Sequence, residues 1–429
     1  MARSYARSAG YPCRGLSSAA GQSRLLSEVE EAFRSLPDRY LGAEPGFDAT
    51  YHVRLGDVGH TWEVRLTHHG ARVRKGVTRR EPDVTIGSDG ATWLAMRAGE
   101  LSGIEAFSRR VLYARGNLDL AVGFEGMFRR PDGRPPLVRM HEARLPGRRV
   151  STLTMGQGPD VLLLHGLGST KASMFDVAAA LSRSYRVHAP DFPGFGSSSK
   201  PATAPYSPRY FAETVTALMD ELEVDCAHVV GNSMGGRVAI DVAVRWPERT
   251  RALALLCPAM AFIRRGLPTA LVRLLRPELG LVPHRFRRGT VAAQFWGLFA
   301  DSDQVDPAMA DIAVDEFQRI YASAGARLAF LSAARNIYLE PPFGKRGFYP
   351  RLSELESPAL FVWGSHDKLV PAAFQRHVTE WLPRAEQIVL EGCGHVPQVE
   401  RPAQTIGLIE RFFARSDALA QPGRLSRAA

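Results

Sequence analysis

Four short segments hold residues that could act together as nucleophile, base, acid and anion cradle. Gly231-Asn232-Ser233-Met234-Gly235-Gly236 sets a serine among glycines, after the apolar run Ala227–Val230 and before a helix-like stretch through Val244. G-x-S-x-G recurs by chance. Between a strand and a helix it is specific, because a tight turn needs residues without bulk on both sides of the serine. Such a turn lifts the Ser233 hydroxyl above a sheet. It leaves the Met234 N–H at a helix start, where the dipole favours a developing oxyanion. His165-Gly166-Leu167-Gly168-Ser169 follows another apolar run, and its glycines allow the Leu167 N–H to approach as a second donor. A serine hydroxyl needs a base, and the base needs an orienting carboxylate. Downstream, Gly364-Ser-His-Asp367 follows the strand-like Ala359–Trp363, and Gly392-Cys-Gly-His395 follows Gln387–Leu390. Asp367 and His395 therefore fall in loops at strand ends, where α/β sheets place their sites. His366 competes as base, but it adjoins the acid and is expected to point elsewhere. Asp191 competes as acid; it precedes the serine and opens DFPGFGSS, which is expected to shape a pocket rim.

These loops need a sheet to hold them. From about His141 strands alternate with helices, which indicates α/β architecture with a mostly parallel sheet. Val161–Leu164, Tyr185–Ala189, Ala227–Val230, Ala252–Leu256 and Ala359–Trp363 are apolar without interruption, as strands buried on both faces require. Residues 172–183 and 207–223 read as helices between them.

The motifs and their order resemble the α/β-hydrolase superfamily over about residues 141–415. The resemblance implies Ser233 as nucleophile, His395 as general base and then acid, Asp367 as orienting acid, and the Leu167 and Met234 amides as oxyanion hole. GNSMGG is similar to the form in meta-cleavage product hydrolases, which cleave carbon–carbon bonds. Two features depart from those enzymes: HGLGS stands where they carry a richer H-G-G-G-P-G, and Val396 follows the histidine where they usually carry Trp. Carbon–carbon cleavage thus ranks behind hydrolysis of a carboxylic ester or thioester. A lipid carrier with an inert hydrolase half is the rival from another class, and the complete catalytic set argues against it.

Residues 258–353 interrupt the strand rhythm, where the superfamily carries a helical cap. Leu267, Leu271, Leu274 and Leu275 lie at helical spacing beside Arg273 and Arg276, followed by Phe286, Phe295, Trp296 and Phe299. A basic amphipathic segment with aromatics can lie on an anionic membrane surface. The simpler expectation is a cap helix with its leucines packed inward.

The N-terminal part reads as a separate domain over 27–128. Residues 27–41 have a helical apolar face. Tyr51, Val53 and Leu55, then Trp62, Val64 and Leu66, alternate with polar residues as antiparallel strands do. Two helices are expected near 91–98 and 103–113, and alternation returns at 117–123. No catalytic set is present in it. Pro82–Phe128 resembles the C-terminal half of a sterol carrier protein 2 domain, through an Asp-containing turn after a strand, a helix ending Ala-Gly-Glu-Leu, an Ala-Phe helix and a closing apolar segment. That resemblance implies a small α+β domain with an apolar interior for a fatty-acyl or sterol-like ligand. Residues 1–26, with four arginines and no acid, are expected to be a disordered leader, 129–140 a proline-rich linker and 416–429 a disordered tail.

Composition narrows the rest. The 429 residues are 45% hydrophobic and 23% charged, which excludes a disordered or collagen-like chain. Of the 54 basic residues 49 are arginine, and the net charge of +10 is concentrated in segments 129–149 and 259–300. No motif supports nucleic acid as partner. The four cysteines form no C-x-x-C pair, so neither a zinc cage nor a disulfide framework is indicated, and a reducing, cytoplasmic setting is expected. No cofactor or metal is implied; the expected partner is a small apolar ester or lipid.

Overall fold

The computed structural model describes residues 19–262, 272, 276–345 and 347–419. Its contacts divide the chain into two units, 1–139 and 140–429.

In the first unit, strands β1 (Asp48–Leu55), β2 (His60–Thr67), β3 (Gly70–Lys75), β4 (Val84–Ser88) and β5 (Tyr113–Gly116) form a sheet of order β3-β2-β1-β4-β5. The pairs β1–β2, β2–β3 and β4–β5 are antiparallel and β1–β4 is parallel. Tyr51, Val53, Leu55, Trp62, Val64 and Leu66 turn to the interior and are buried. Against them pack α1 (Ala19–Arg34), α2 (Leu36–Arg39), α3 (Gly90–Ala98) and, after the short α4 (Gly103–Ser108), α5 (Leu118–Gly126). Phe33 of α1 stacks between Trp62 at 4.4 Å and Trp93 at 4.7 Å. This unit carries the small α+β fold expected of it.

Three local expectations are corrected. Helix α1 begins at Ala19, inside the segment expected to be a disordered leader. The alternation expected at 117–123 is instead the start of a helix, because Asn117, itself extended, caps the backbone N–H groups of Asp119 and Leu120 and so starts α5 at Leu118; seven residues of alternation cannot exclude a helix turn. The helix expected to reach residue 113 stops at Ser108, and Arg110 adopts φ 61° before β5.

The Glu125 carboxylate on α5 accepts the Gly103 N–H at 2.7 Å. Burial pushes its pKa up to about 7, against an ordinary 4.5, although backbone N–H groups pull the other way. A raised carboxyl pKa means that the folded chain holds the proton more tightly. Stability from this site is therefore full below about pH 4.5 and is lost as pH rises through 7. Thermal melts of wild type and Glu125→Gln are expected to converge, or to reverse in favour of Gln, between pH 5 and pH 8. A difference independent of pH would refute this.

In the second unit, β6 (Val138–Leu145), β7 (Arg148–Met155), β8 (Asp160–Leu164), β9 (Arg186–Pro190), β10 (Ala227–Asn232), β11 (Thr250–Leu256), β12 (Ala359–Gly364) and β13 (Glu386–Leu390) have the order β13-β12-β11-β10-β8-β9-β7-β6. Strands β8 to β13 pair in parallel and β7 runs antiparallel to β9. Strand β6 starts inside the expected linker. The central strands are buried on both faces, Val161–Leu164 completely. Helices α6 (Phe175–Leu181), α7 (Pro208–Glu221) and α8 (Met234–Arg245) cover the sheet. The last helix, Pro402–Leu419, runs into the expected tail.

Between β11 and β12 stand helices Arg288–Trp296, Pro307–Tyr321, Ala324–Tyr338 and Phe348–Leu352. The leucine stripe Leu267–Leu275 with Arg273 lies outside the described residues. Of the aromatics, Phe295, Trp296 and Phe299 pack on one another, and Phe286 packs on Phe317 and Tyr321. Among the described residues no helix is long and apolar enough to cross a membrane. The insert is fastened to α8 through Arg237, which is fully buried. Its guanidinium pairs with Glu340 and with Asp241, and Arg351 pairs with the same two carboxylates. Because both acids and both arginines are paired, the charges can remain out of water.

Candidate active site

The backbone sets the serine first. Ser233 has φ 52° and ψ −115°, a conformation that a residue with a side chain rarely adopts. A Cβ on Gly231 would lie 2.5 Å from the Gly235 carbonyl oxygen, and one on Gly235 would lie 2.1 Å from that of Leu164. The glycines are therefore demanded by the close passage of α8 over β8. Ser233 precedes α8 directly, so the Met234 N–H opens that helix.

Three side chains from three loops meet at this serine. The Ser233 Oγ and His395 Nε2 are 2.8 Å apart, and His395 Nδ1 and the Asp367 Oδ2 are 2.7 Å apart. The other Asp367 oxygen accepts the N–H groups of Leu369 and Val370 at 2.8 and 2.9 Å. With its carboxylate so held, Asp367 can fix the proton of His395 on Nδ1 and leave Nε2 to accept from Ser233. Asn232 donates to the carbonyls of Leu256 and His395 and ties the serine turn to the histidine loop.

The HGLGS turn lies against the serine: a Cβ on Gly166 would sit 3.4 Å from that of Ser233. His165 holds this turn. Its Nδ1 is 2.8 Å from the Gly166 carbonyl, and its Nε2 accepts the Phe192 N–H at 3.0 Å. Burial lowers its pKa, so it is a neutral strut with its proton on Nδ1. Phe330 and Phe317 stand over Gly168, giving the turn an apolar neighbour from the insert.

The two competing residues are elsewhere. His366 is exposed and its Nδ1 is 2.8 Å from the Ser365 hydroxyl. Asp191, the competing acid, is completely buried. It pairs with the buried Lys171 ammonium at 2.6 Å and accepts the N–H groups of Lys171 and Ser197. Burial raises the Asp191 pKa, but the Lys171 charge outweighs this and holds it below the ordinary value.

Sequence reasoning missed Glu400 and Cys257. Glu400 is buried in the helix Pro397–Glu400; one oxygen accepts the Gly394 N–H at 2.6 Å, and the other accepts Ala300 and Asp301 at 2.8 and 2.9 Å. His395 itself donates its N–H to the Leu298 carbonyl at 2.7 Å. The histidine loop is thus bonded twice to the insert, through residues with no motif to flag them. Glu400→Gln keeps only one acceptor oxygen for three donors. It is expected to lower kcat about 10–100-fold with KM nearly unchanged, since small displacements of a base are costly. Unchanged steady-state kinetics would show that Glu400 does not position His395. Cys257 is buried at the end of β11, and its thiol lies within 4.8 Å of ligand atoms of both Asp367 and His395. Burial, foremost, pushes its pKa well up, which makes it a neutral neighbour rather than a nucleophile.

A serine in a strained strand-to-helix turn on a mostly parallel sheet, with an aspartate and a histidine in later loops, defines a class. Residues 159–402 match the alpha/beta hydrolase fold family, and the chain belongs to it; residues 41–129 match the SCP-2 sterol transfer family. The protein is an enzyme of hydrolase type. It is 32% identical over 272 residues to the pimeloyl-(acyl-carrier protein) methyl ester esterase of Aeromonas hydrophila, covering 61% of this chain and 98% of that one. It is 30% identical over 286 residues to the 2-hydroxymuconate semialdehyde hydrolase of Pseudomonas putida, covering 64% and 93%. Among solved structures, a bacterial membrane phospholipase A is 28% identical with a TM-score of 0.56, over 66% of this chain and 87% of that one.

Proposed function

We propose that this chain hydrolyses a carboxylic ester or thioester with an apolar acyl part, through Ser233, His395 and Asp367. The reading rests above all on the hydrogen-bond chain from Ser233 Oγ through His395 to Asp367, with steps of 2.8 and 2.7 Å. His395 Nε2 takes the hydroxyl proton as Ser233 Oγ attacks the acyl carbon. The Leu167 and Met234 N–H groups receive the oxyanion. His395 then gives the proton to the departing alkoxide or thiolate, leaving an acyl-serine. Water, with His395 again as base, releases the acid. Phe317 and Phe330 beside the Gly168 turn suit an apolar acyl group. Residues 141–415 form the catalytic part in this reading. Residues 27–128 hold an apolar lipid without catalysing anything, which the SCP-2 match favours.

Similarity to the 2-hydroxymuconate semialdehyde hydrolase favours a second reading, carbon–carbon hydrolysis by the same residues. Rates on p-nitrophenyl esters of rising chain length, compared with a 2-hydroxy-6-oxo-dienoate, separate the two. Ester turnover is expected to dominate and to rise with chain length; efficient dienoate cleavage with negligible ester turnover would replace the first reading by the second.

A further inference from the structure

The first unit buries hydrogen-bond donors that its own fold does not satisfy. Among the described residues, Nε and Nη2 of Arg97, Nε1 of Trp93 and the hydroxyl of Tyr51 have no hydrogen-bond partner. Trp93 and Tyr51 are completely buried and Arg97 is only 8% exposed. These residues belong to one place. Trp93 and Arg97 are one turn apart on α3. The Tyr51 ring lies 4.9 Å from that of Phe124, Trp93 lies 5.9 Å from Phe124, and Phe124 lies 5.1 Å from Phe128. The Arg97 guanidinium stands over the Phe128 ring at 5.1 Å.

A buried guanidinium with unsatisfied N–H groups is costly unless an acceptor, and best an anion, meets it. The charges around Arg97 do not supply one. Arg39, which donates to the Arg97 carbonyl, is a like charge. Glu125 attracts Arg97, but its carboxylate is turned to the Gly103 N–H. Burial, foremost, brings Arg97 down to about 9. The setting is a cation at the edge of an aromatic interior, which matches the two parts of a long-chain carboxylate.

We propose that Arg97 anchors the carboxylate of a fatty acid whose chain lies among Tyr51, Trp93, Phe124 and Phe128. This rests on the lipid-binding reading of the first unit and deepens it. The anionic anchor selects the free acid over its neutral ester. The unit therefore takes up the product of ester hydrolysis, and does not deliver the ester to Ser233. Admitting the chain requires α5, which carries Phe124, to shift.

The test uses the full chain carrying Ser233→Ala, so that no ester is consumed. Fluorescence titration with cis-parinaric acid and with its methyl ester is compared for Arg97, Arg97→Lys and Arg97→Met. The acid is expected to bind about tenfold or more tighter than the ester when Arg97 is present. Arg97→Met should abolish that preference by weakening the acid alone, and Arg97→Lys should retain part of it. Equal binding of acid and ester, or a preference that survives Arg97→Met, would overturn the anchor and leave the lipid-binding reading standing. Binding of neither probe would overturn both. Should Arg97→Met lose both probes, Arg97→Lys decides: a retained acid preference supports the anchor and equal binding rejects it.

Discussion

Ser233→Ala is expected to lower kcat on a p-nitrophenyl ester by about 10⁴–10⁶, the largest single effect in this chain. The alanine keeps the turn and the backbone N–H groups of Leu167 and Met234, so residual hydrolysis by water at the oxyanion site should remain. Ser233 also contributes little to packing beyond its bond to His395, and the melting temperature should change little. Steady-state kinetics of the purified variant, with a thermal melt as control, give the result. Activity within tenfold of wild type in a folded protein would exclude Ser233 as nucleophile.

Asp367→Asn is expected to lower kcat by about 10²–10⁴ with little change in KM. The asparagine can turn its amide nitrogen toward His395 Nδ1, which then accepts and places the proton on Nε2, the wrong tautomer for drawing on Ser233. Asp191→Asn should behave differently. It removes the partner of a fully buried Lys171, and breaking a buried ion pair costs about 3–5 kcal/mol of stability. The fraction that remains folded should turn over far faster than Asp367→Asn. If instead Asp191→Asn is the more damaged in kcat with both variants folded, the acid has been misassigned.

Much of this site is legible in the sequence because the fold makes it local. The Gly231–Gly236 turn follows a strand that is buried on both faces, and its glycines are required by distances to Leu164 and Gly235 that any Cβ would violate. Asp367 and His395 are equally readable, each in the loop directly after an apolar strand. The order of those strands is not readable, because parallel pairing such as β10 between β8 and β11 joins segments far apart in the chain. Glu400 illustrates the limit. Its partners Gly394, Ala300 and Asp301 come together only after the insert has folded back, and backbone donors have no residue type to betray them. Asp191 misleads for a related reason. An aspartate in a glycine-rich loop reads as surface, and the Lys171 ammonium together with the N–H groups of Lys171 and Ser197 makes its burial tolerable. In the first unit the error at 117–123 came from a short stretch where the Asn117 cap, not the apolar spacing, decides the backbone.

The most direct measurement of the central claim is labelling with a fluorophosphonate, which transfers its phosphonyl group to an activated serine and loses fluoride. Tryptic peptides of the labelled full chain would then be mapped by mass spectrometry. A single adduct is expected on the peptide containing Ser233, absent from Ser233→Ala and strongly slowed in Asp367→Asn. An adduct that persists in Ser233→Ala, or a folded wild-type chain that takes no label, would contradict the assignment of Ser233, His395 and Asp367 as the hydrolytic site.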